Sequence, residues 1–169
     1  MEISIRKAAL EDTAEYIRLL HEVKDAMPQQ EWFFLDPDED YWNMMKSGCM
    51  ELWVAEDSGR LVAGFDLLHP KLEAFNYGYD LGFTESELLR VVQMDTAAVR
   101  PDYRGLGLQK RLMETAQQEI LKQPGRILLC TVHPDNRFSL QNVLKQGYTI
   151  EKKLEKYGSV RYILRKDLP

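Results

Sequence analysis

The segment that most constrains this chain lies in its second half. VVQMDTAAV at residues 91–99 runs into RPDYRGLGLQKR, then into a stretch with Leu108, Leu112, Ala116 and Ile120 on one helical face. The apolar nonamer predicts a strand, residues 100–107 a turn, and residues 108–123 a helix. Pro124-Gly125 ends that helix, and RILLCTV at 126–132 predicts another strand. A strand, helix and strand in this succession imply a right-handed crossover between parallel neighbours. Any fold for this chain must be built around that unit.

The remaining elements fit beside it. Ile3 and Ile5 alternate with polar residues in a strand over 2–8, and Ala14, Ile17, Leu20, Val23 and Met27 follow a helical period over 11–27. Asp12 is the expected cap of that helix, with Glu15 three positions on. A short second helix is expected after Asp36-Pro37. ELWVAED and RLVAGFDLL flank Ser58-Gly59 as a hairpin over 51–68. Residues 69–90 form an excursion that we expect to carry substrate contacts, with a helical turn over 85–89. His133-Pro134-Asp135-Asn136 turns into a helix over 137–146, and strands at 148–155 and 161–166 flank a turn at Tyr157-Gly158-Ser159. The order is β-α-α-β-β-β-α-β-α-β-β. It predicts an α/β fold with a mixed, mostly antiparallel sheet flanked by helices, in one domain over residues 1–169.

Composition narrows the function classes. At 169 residues with 44% hydrophobic and 29% charged residues, the chain has the make-up of a globular domain rather than a disordered one. Two cysteines, Cys49 and Cys130, make neither a disulfide framework nor a metal motif, so no metal is expected. No apolar run is long enough to span a bilayer, and the opening MEISIRKAAL lacks the order of a secretory signal. No membrane partner and a cytoplasmic location are therefore expected. A net charge of −5 argues against a nucleic-acid partner held by phosphate contacts.

A local basic patch runs against that charge. Arg100, Arg104, Lys110 and Arg111 face only Asp102 within the glycine segment. A turn opening a helix offers unpaired amides to an anion, and Gly105 and Gly107 let the backbone approach it closely. A pyrophosphate is the fitting ligand; the plain alternative is a tight turn with solvated basic neighbours. GLGLQK is neither GxGxxG, because Lys110 takes the third glycine position, nor GxxxxGK[ST]. NAD and ATP are disfavoured accordingly.

The segment resembles the glycine motif of the GNAT superfamily of acyl-CoA-dependent N-acetyltransferases, [Arg/Gln]-x-x-Gly-x-[Gly/Ala]. Arg104 and Gly107 match, and Gln109 replaces the final small residue. HPDNRFSLQNVLKQGY is similar to the family's later run, through Asn136, Ser139 and Gly147-Tyr148, and the opening IRKAALEDTAEYIRLL is also family-like. The resemblance implies acetyl-CoA as cosubstrate, and a central parallel strand pair, 91–99 and 126–132, that splays to admit pantetheine. Backbone groups of Ala97, Ala98 and Val99 would pair with the pantetheine amides. Arg104, Gly105, Leu106, Gly107, Leu108 and Gln109 would hold the pyrophosphate. Asn136 would contact the cofactor or brace the last loops, and an Asx-turn explains it equally.

Acyl transfer to an amine needs orientation, donors for the developing oxyanion, and a proton for the departing thiolate. A backbone amide near Ala98 or Val99 would polarise the thioester, and direct attack is expected because neither cysteine has an activating context. The tyrosine that the family often carries seven residues beyond the asparagine is here Val143, which has no proton to give. Tyr157 is the replacement candidate as acid, against a packing or surface role, with Tyr103, Tyr148 and Tyr162 as competitors. Asp95, an acid within a strand-like run, is the candidate base or cation-orienting group, against a plain hydrogen-bonded strand carboxylate. Glu51 and His69 are weaker alternatives, and His133 reads as structural. Residues 31–57 carry eight acids and one lysine, with Trp32, Phe33, Phe34, Tyr41 and Trp42 interleaved. They would line an acceptor pocket, or form a solvated acidic face over packed aromatics.

The expected function is acetyl transfer from acetyl-CoA to a primary amine, of a small molecule first, in a ternary complex. Three alternatives stand beside it: a CoA-binding regulatory or interaction protein with lost catalysis, an acyltransferase with another acyl donor or a hydroxyl acceptor, and one acting on a protein amine. A homodimer through the excursion or the final strands is compatible with the sequence.

Overall fold

The computed structural model describes residues Met1–Pro169. Its elements in chain order are β1 (Ile3–Lys7), α1 (Thr13–Asp25), α2 (Asp38–Ser47), β2 (Met50–Asp57), β3 (Arg60–Leu68), α3 (Glu85–Leu88), β4 (Val91–Val99), α4 (Leu108–Ile120), β5 (Ile127–Val132), α5 (Arg137–Lys145), β6 (Thr149–Lys156) and β7 (Ser159–Asp167). Hydrogen-bonded neighbours follow the order β1-β2-β3-β4-β5-β7-β6. The pairs β1/β2, β2/β3, β5/β7 and β6/β7 are antiparallel, and β4/β5 is parallel, as the strand-helix-strand reading requires. This is the mixed, mostly antiparallel α/β architecture expected.

Two hairpins are set by their turn residues. Ser58 and Gly59 have φ of 52° and 80°, and Tyr157 and Gly158 have 58° and 75°; two successive positive values match the twist of antiparallel strands. Asp57 pairs with Arg60 and Lys156 with Ser159 across these turns. The β6–β7 turn is thus two residues long, and Ser159 already belongs to β7.

By contacts the chain divides into two compact units, residues Met1–Leu68 with Asp95–Gln118, and His69–Met94 with Glu119–Pro169. The first half of β4 belongs to one and the second half to the other. In the first unit, Tyr16, Ile17, Leu19, Leu20 and Val23 of α1 and Tyr41 of α2 pack with Leu52, Val54, Leu61 and Leu68. In the second, Tyr77, Val91, Ile127, Leu129 and Ile163 form a separate cluster. The β4/β5 register, Val91↔Ile127 to Gln93↔Leu129, lies wholly in this second unit.

The start of α1 corrects one sequence expectation. Asp12 does not cap α1 with its side chain. Its carboxylate takes the Ala9 N–H at 2.7 Å and a two-pronged bond from Arg6, closing a 3-10 turn over Leu10–Asp12. Glu15 accepts instead from Leu61 N–H on β3 at 3.3 Å. A tertiary partner and a guanidinium outcompete the local capping box here. Residues 69–90 are ordered through Asn76, whose amide accepts from Gly78 N–H and donates to Lys71 and Leu88 carbonyls.

Candidate functional site

In the first unit, β4 leads directly into the glycine turn. Arg100 fixes the departure: its N–H bonds Val62 C=O at 2.9 Å, its Nε bonds Leu61 C=O at 2.8 Å, and its guanidinium pairs with Glu22. Tyr103 adds a second tether by donating to Asp57 at 2.8 Å. Two of the flanking residues are therefore structural. Arg100, expected within the basic patch, is spent on the β3 edge and α1, and Lys110 lies 3.7 Å from Glu114 one helical turn on. Arg104 and Arg111 are exposed basic side chains without an acidic partner across the turn, and Lys110 is exposed beside Glu114.

The backbone beyond Arg104 is open to a ligand. Gly105 and Gly107 have φ of 82° and 69°, which side chains with a Cβ adopt only at a cost. A Cβ at either position would meet no protein atom within 4 Å, so these glycines are required by backbone conformation rather than by crowding. No backbone N–H of residues 105–110 has an acceptor in the chain; the first helical bond runs from Arg111 N–H to Gly107 C=O at 3.0 Å. Six unaccepted donors and the positive end of α4 therefore lie in one short segment beside Arg104 and Arg111. Such a cradle fits a pyrophosphate and adds the Lys110 amide to the 105–109 stretch expected from sequence. Leu108 itself is buried with Leu112, Ala116 and Ile120, the helical face expected.

Asp95 lies on β4 of the same unit, half-buried, with Thr96 Oγ1 donating to it at 3.3 Å. Ala97, Ala98 and Val99 follow it along the strand, with Ala98 buried. Beside Asp95 is a residue that the sequence reading did not single out. Asp66 of β3 is wholly buried, accepts from Tyr16 Oη at 2.5 Å, and neighbours the Asp95 carboxyl from the adjacent strand. Burial and then the charge of Asp95 push the Asp66 carboxyl well above the usual carboxylate range. The Tyr16 phenol is also raised, first by burial and then by the charge of Asp66.

The acidic segment over 31–57 is mostly paired or packed. Asp38 meets His21 at 2.7 Å, Glu51 meets Lys7, and Glu56 meets Arg6 at 2.6 Å. Phe33 and Tyr41 are in the core with Trp42 against it, while Phe34 is exposed. Core packing thus accounts for most of the interleaved aromatics.

Asn136 and Tyr157 belong to the second unit. Asn136 caps α5, its side chain accepting from Ser139 N–H at 3.5 Å, a local bond of the Asx kind. Val143 of α5 is buried, and its carbonyl accepts from Tyr148 N–H. Tyr157 sits at the hairpin tip, 38% exposed, with its hydroxyl 2.6 Å from that of buried Tyr77. Lys156 lies over the Tyr77 ring at 5.4 Å and pairs with Asp80 at 3.0 Å. Two of the competitors are otherwise engaged: Tyr103 is committed to Asp57, and Tyr148 is buried with its phenol pushed upward by that burial. Cys130 is buried and its thiol is raised to about 12, which disfavours a thiolate nucleophile. His133 is buried and accepts from Asp135 N–H, a structural role as read.

The sequence matches the acetyltransferase (GNAT) family over residues 17–148, most of the chain. The chain belongs to that family. Solved structures share its fold. An acetyltransferase of the GNAT family from Streptococcus pneumoniae aligns with a TM-score of 0.74 at 17% identity, covering 99% of this chain and 100% of that one. NAA60 of Arabidopsis thaliana, in complex with acetyl-CoA, gives 0.75 at 16% identity, with 98% of each chain covered. The PaiA N-acetyltransferase of Thermoplasma acidophilum, in complex with coenzyme A, gives 0.67 at 19% identity over 98% and 99% of the two chains. No curated protein matches the sequence at a significant level.

Proposed function

We propose that this acetyltransferase-family chain transfers an acetyl group from acetyl-CoA to a primary amine, with a small-molecule amine as acceptor. The observation that carries the donor half is the run of six unaccepted amides over residues 105–110, at the mouth of α4 and beside Arg104. Amides and guanidinium together suit the doubly charged pyrophosphate of CoA. Acetyl-CoA supplies the activated acetyl thioester. Ala97, Ala98 and Val99 would present backbone groups to its pantetheine arm.

On the acceptor side, Asp95 is the group that orients a protonated amine and takes its proton. Tyr157, partnered by Tyr77, is the group with a hydroxyl proton to give. Neutral amine and proton donor must coexist at working pH, which separate groups in separate surroundings accomplish. Asn136 acts by holding the start of α5 rather than by chemistry of its own.

The test is incubation of the purified chain with acetyl-CoA and a panel of primary amines, namely polyamines, amino sugars, amino acids and a lysine peptide. Free thiol release that depends on one small amine, with a product heavier by one acetyl group, is the expected result. Acetylation of the peptide alone would overturn the small-molecule assignment, and thiol release with no amine in the panel would overturn amine acetylation.

A further inference from the structure

Two acids that the fold brings together in one unit, Asp66 on β3 and Asp95 on β4, cannot both be carboxylates as arranged. Asp66 is 0% exposed, and its two oxygens can be accounted for. Oδ2 accepts from Tyr16 at 2.5 Å, and Oδ1 is buried without an N–H or hydroxyl donor. The charged group nearest this carboxyl is Asp95, on the neighbouring strand. Two ionised carboxylates have only acceptors to offer each other, so a hydrogen bond between them requires a proton on one. A second negative charge on a wholly buried carboxyl beside the Asp95 charge, with no cation to offset it, also disfavours double ionisation.

We propose that Asp66 and Asp95 share one proton at neutral pH, so that the pair shows a single negative charge, carried by Asp95, to a cationic amine. The proton resides on Asp66, which no water reaches, and Asp95 keeps the charge because it is half-buried and also receives Thr96 Oγ1. The groups facing Asp66 agree with this. Tyr16 from α1 is itself a donor, Tyr41 from α2 is a phenol raised by burial, and Asp36 ahead of α2 adds negative potential. Leu52, its partner across β2, is apolar. None of these supplies a cation, so protonation is the remaining route to neutrality.

The inference rests on the reading of Asp95 as the acceptor-side group, and it makes Asp66 a positioning residue. Donation from Asp66 fixes the Asp95 carboxylate in one orientation and keeps it ionised. When the bound ammonium loses its proton, the N–H bond breaks, its electron pair stays on nitrogen for attack, and the proton passes to Asp95. The pair then holds two protons and returns one to water before the next turnover. An ammonium is thus the recognised form of the acceptor, which excludes neutral hydroxyl acceptors from this subsite.

The test uses the full, ligand-free chain with carboxyl-13C aspartate, titrated by NMR from about pH 4 to about pH 9. One aspartate, assigned to Asp66 by its loss in Asp66→Asn, should keep the protonated shift through neutral pH. The Asp95 signal should move twice, once at its own ionisation and again when Asp66 ionises. In Asp66→Asn it should move once. Should that variant not fold, Asp95→Asn decides the matter: Asp66 must then ionise at lower pH than in the native chain, because the Asp95 charge is gone. Ionisation of Asp66 in the ordinary carboxylate range, or an Asp95 signal blind to the second step, would overturn the shared proton. Neither result touches the donor-site reading, which thiol release from acetyl-CoA tests on the same samples.

Discussion

Replacing Asp66 with asparagine should change how the stability of this chain depends on pH. The amide retains an oxygen for Tyr16 and supplies an N–H toward Asp95, so the exchange removes the proton while keeping the shape. In the unfolded chain Asp66 ionises near 3.8, the ordinary value for an aspartate; in the native chain it is pushed well above that by burial and by Asp95. Above the ordinary range the native state therefore holds one proton more than the unfolded state. Its stability falls as pH rises, by about 1.4 kcal/mol per pH unit, until the native pair releases its proton. Each pH unit of that slope is a noticeable share of the ~5–15 kcal/mol that holds a domain together. The Asn variant lacks that slope. Urea unfolding of both proteins at several pH values measures it, with the slope of free energy against urea showing that both unfold to the same extent. The stability difference should tilt toward the variant as pH rises above the ordinary carboxylate range. Parallel stability curves would refute a raised Asp66, and with it the buried pair.

Two further substitutions probe the supports of these groups. A Cβ at Gly64 would lie 2.5 Å from Cε1 and 2.7 Å from Cδ1 of Tyr16, a ring with no room to move, so Gly64→Ala should cost about 1–3 kcal/mol in urea or thermal unfolding. Undiminished stability would show that Tyr16 can shift from its place over β3. Tyr157→Phe should lower turnover in the thiol-release assay without changing acetyl-CoA affinity, and Tyr77→Phe should lower it less while costing about 1 kcal/mol of stability. Unchanged turnover in folded Tyr157→Phe would remove that residue as the acid.

Local chemistry made much of this fold legible. The strand over 91–99, the Leu108, Leu112, Ala116 and Ile120 face, and the Ser58-Gly59 and Tyr157-Gly158 turns all rest on rules of period and backbone conformation that act within a few residues. The roles of Asp12, Arg100 and Asp66 were not legible, because each is settled by a partner distant in sequence or by a competing tertiary bond. Glu15 leaves its local partner for Leu61, and Arg100 reaches Leu61 and Glu22. Asp66 did carry a signal. It is a lone acid inside the apolar run LVAGFDLL, as Asp95 is inside VVQMDTAAV, and the pattern that marked one applied to both. Only strand order shows that they meet.

The central claim is that residues 104–110 hold the pyrophosphate of acetyl-CoA, and calorimetric titration of the ligand-free chain with acetyl-CoA tests it most directly. Micromolar binding at one site per chain is predicted. Arg104→Ala should weaken it roughly 10- to 100-fold, as loss of one charge-assisted contact implies. Gly107→Val should weaken it through the backbone, since the φ of 69° disfavours a β-branched residue while a Cβ there would meet no protein atom within 4 Å. A folded chain with no binding up to millimolar acetyl-CoA, or with affinity indifferent to both substitutions, would contradict the claim.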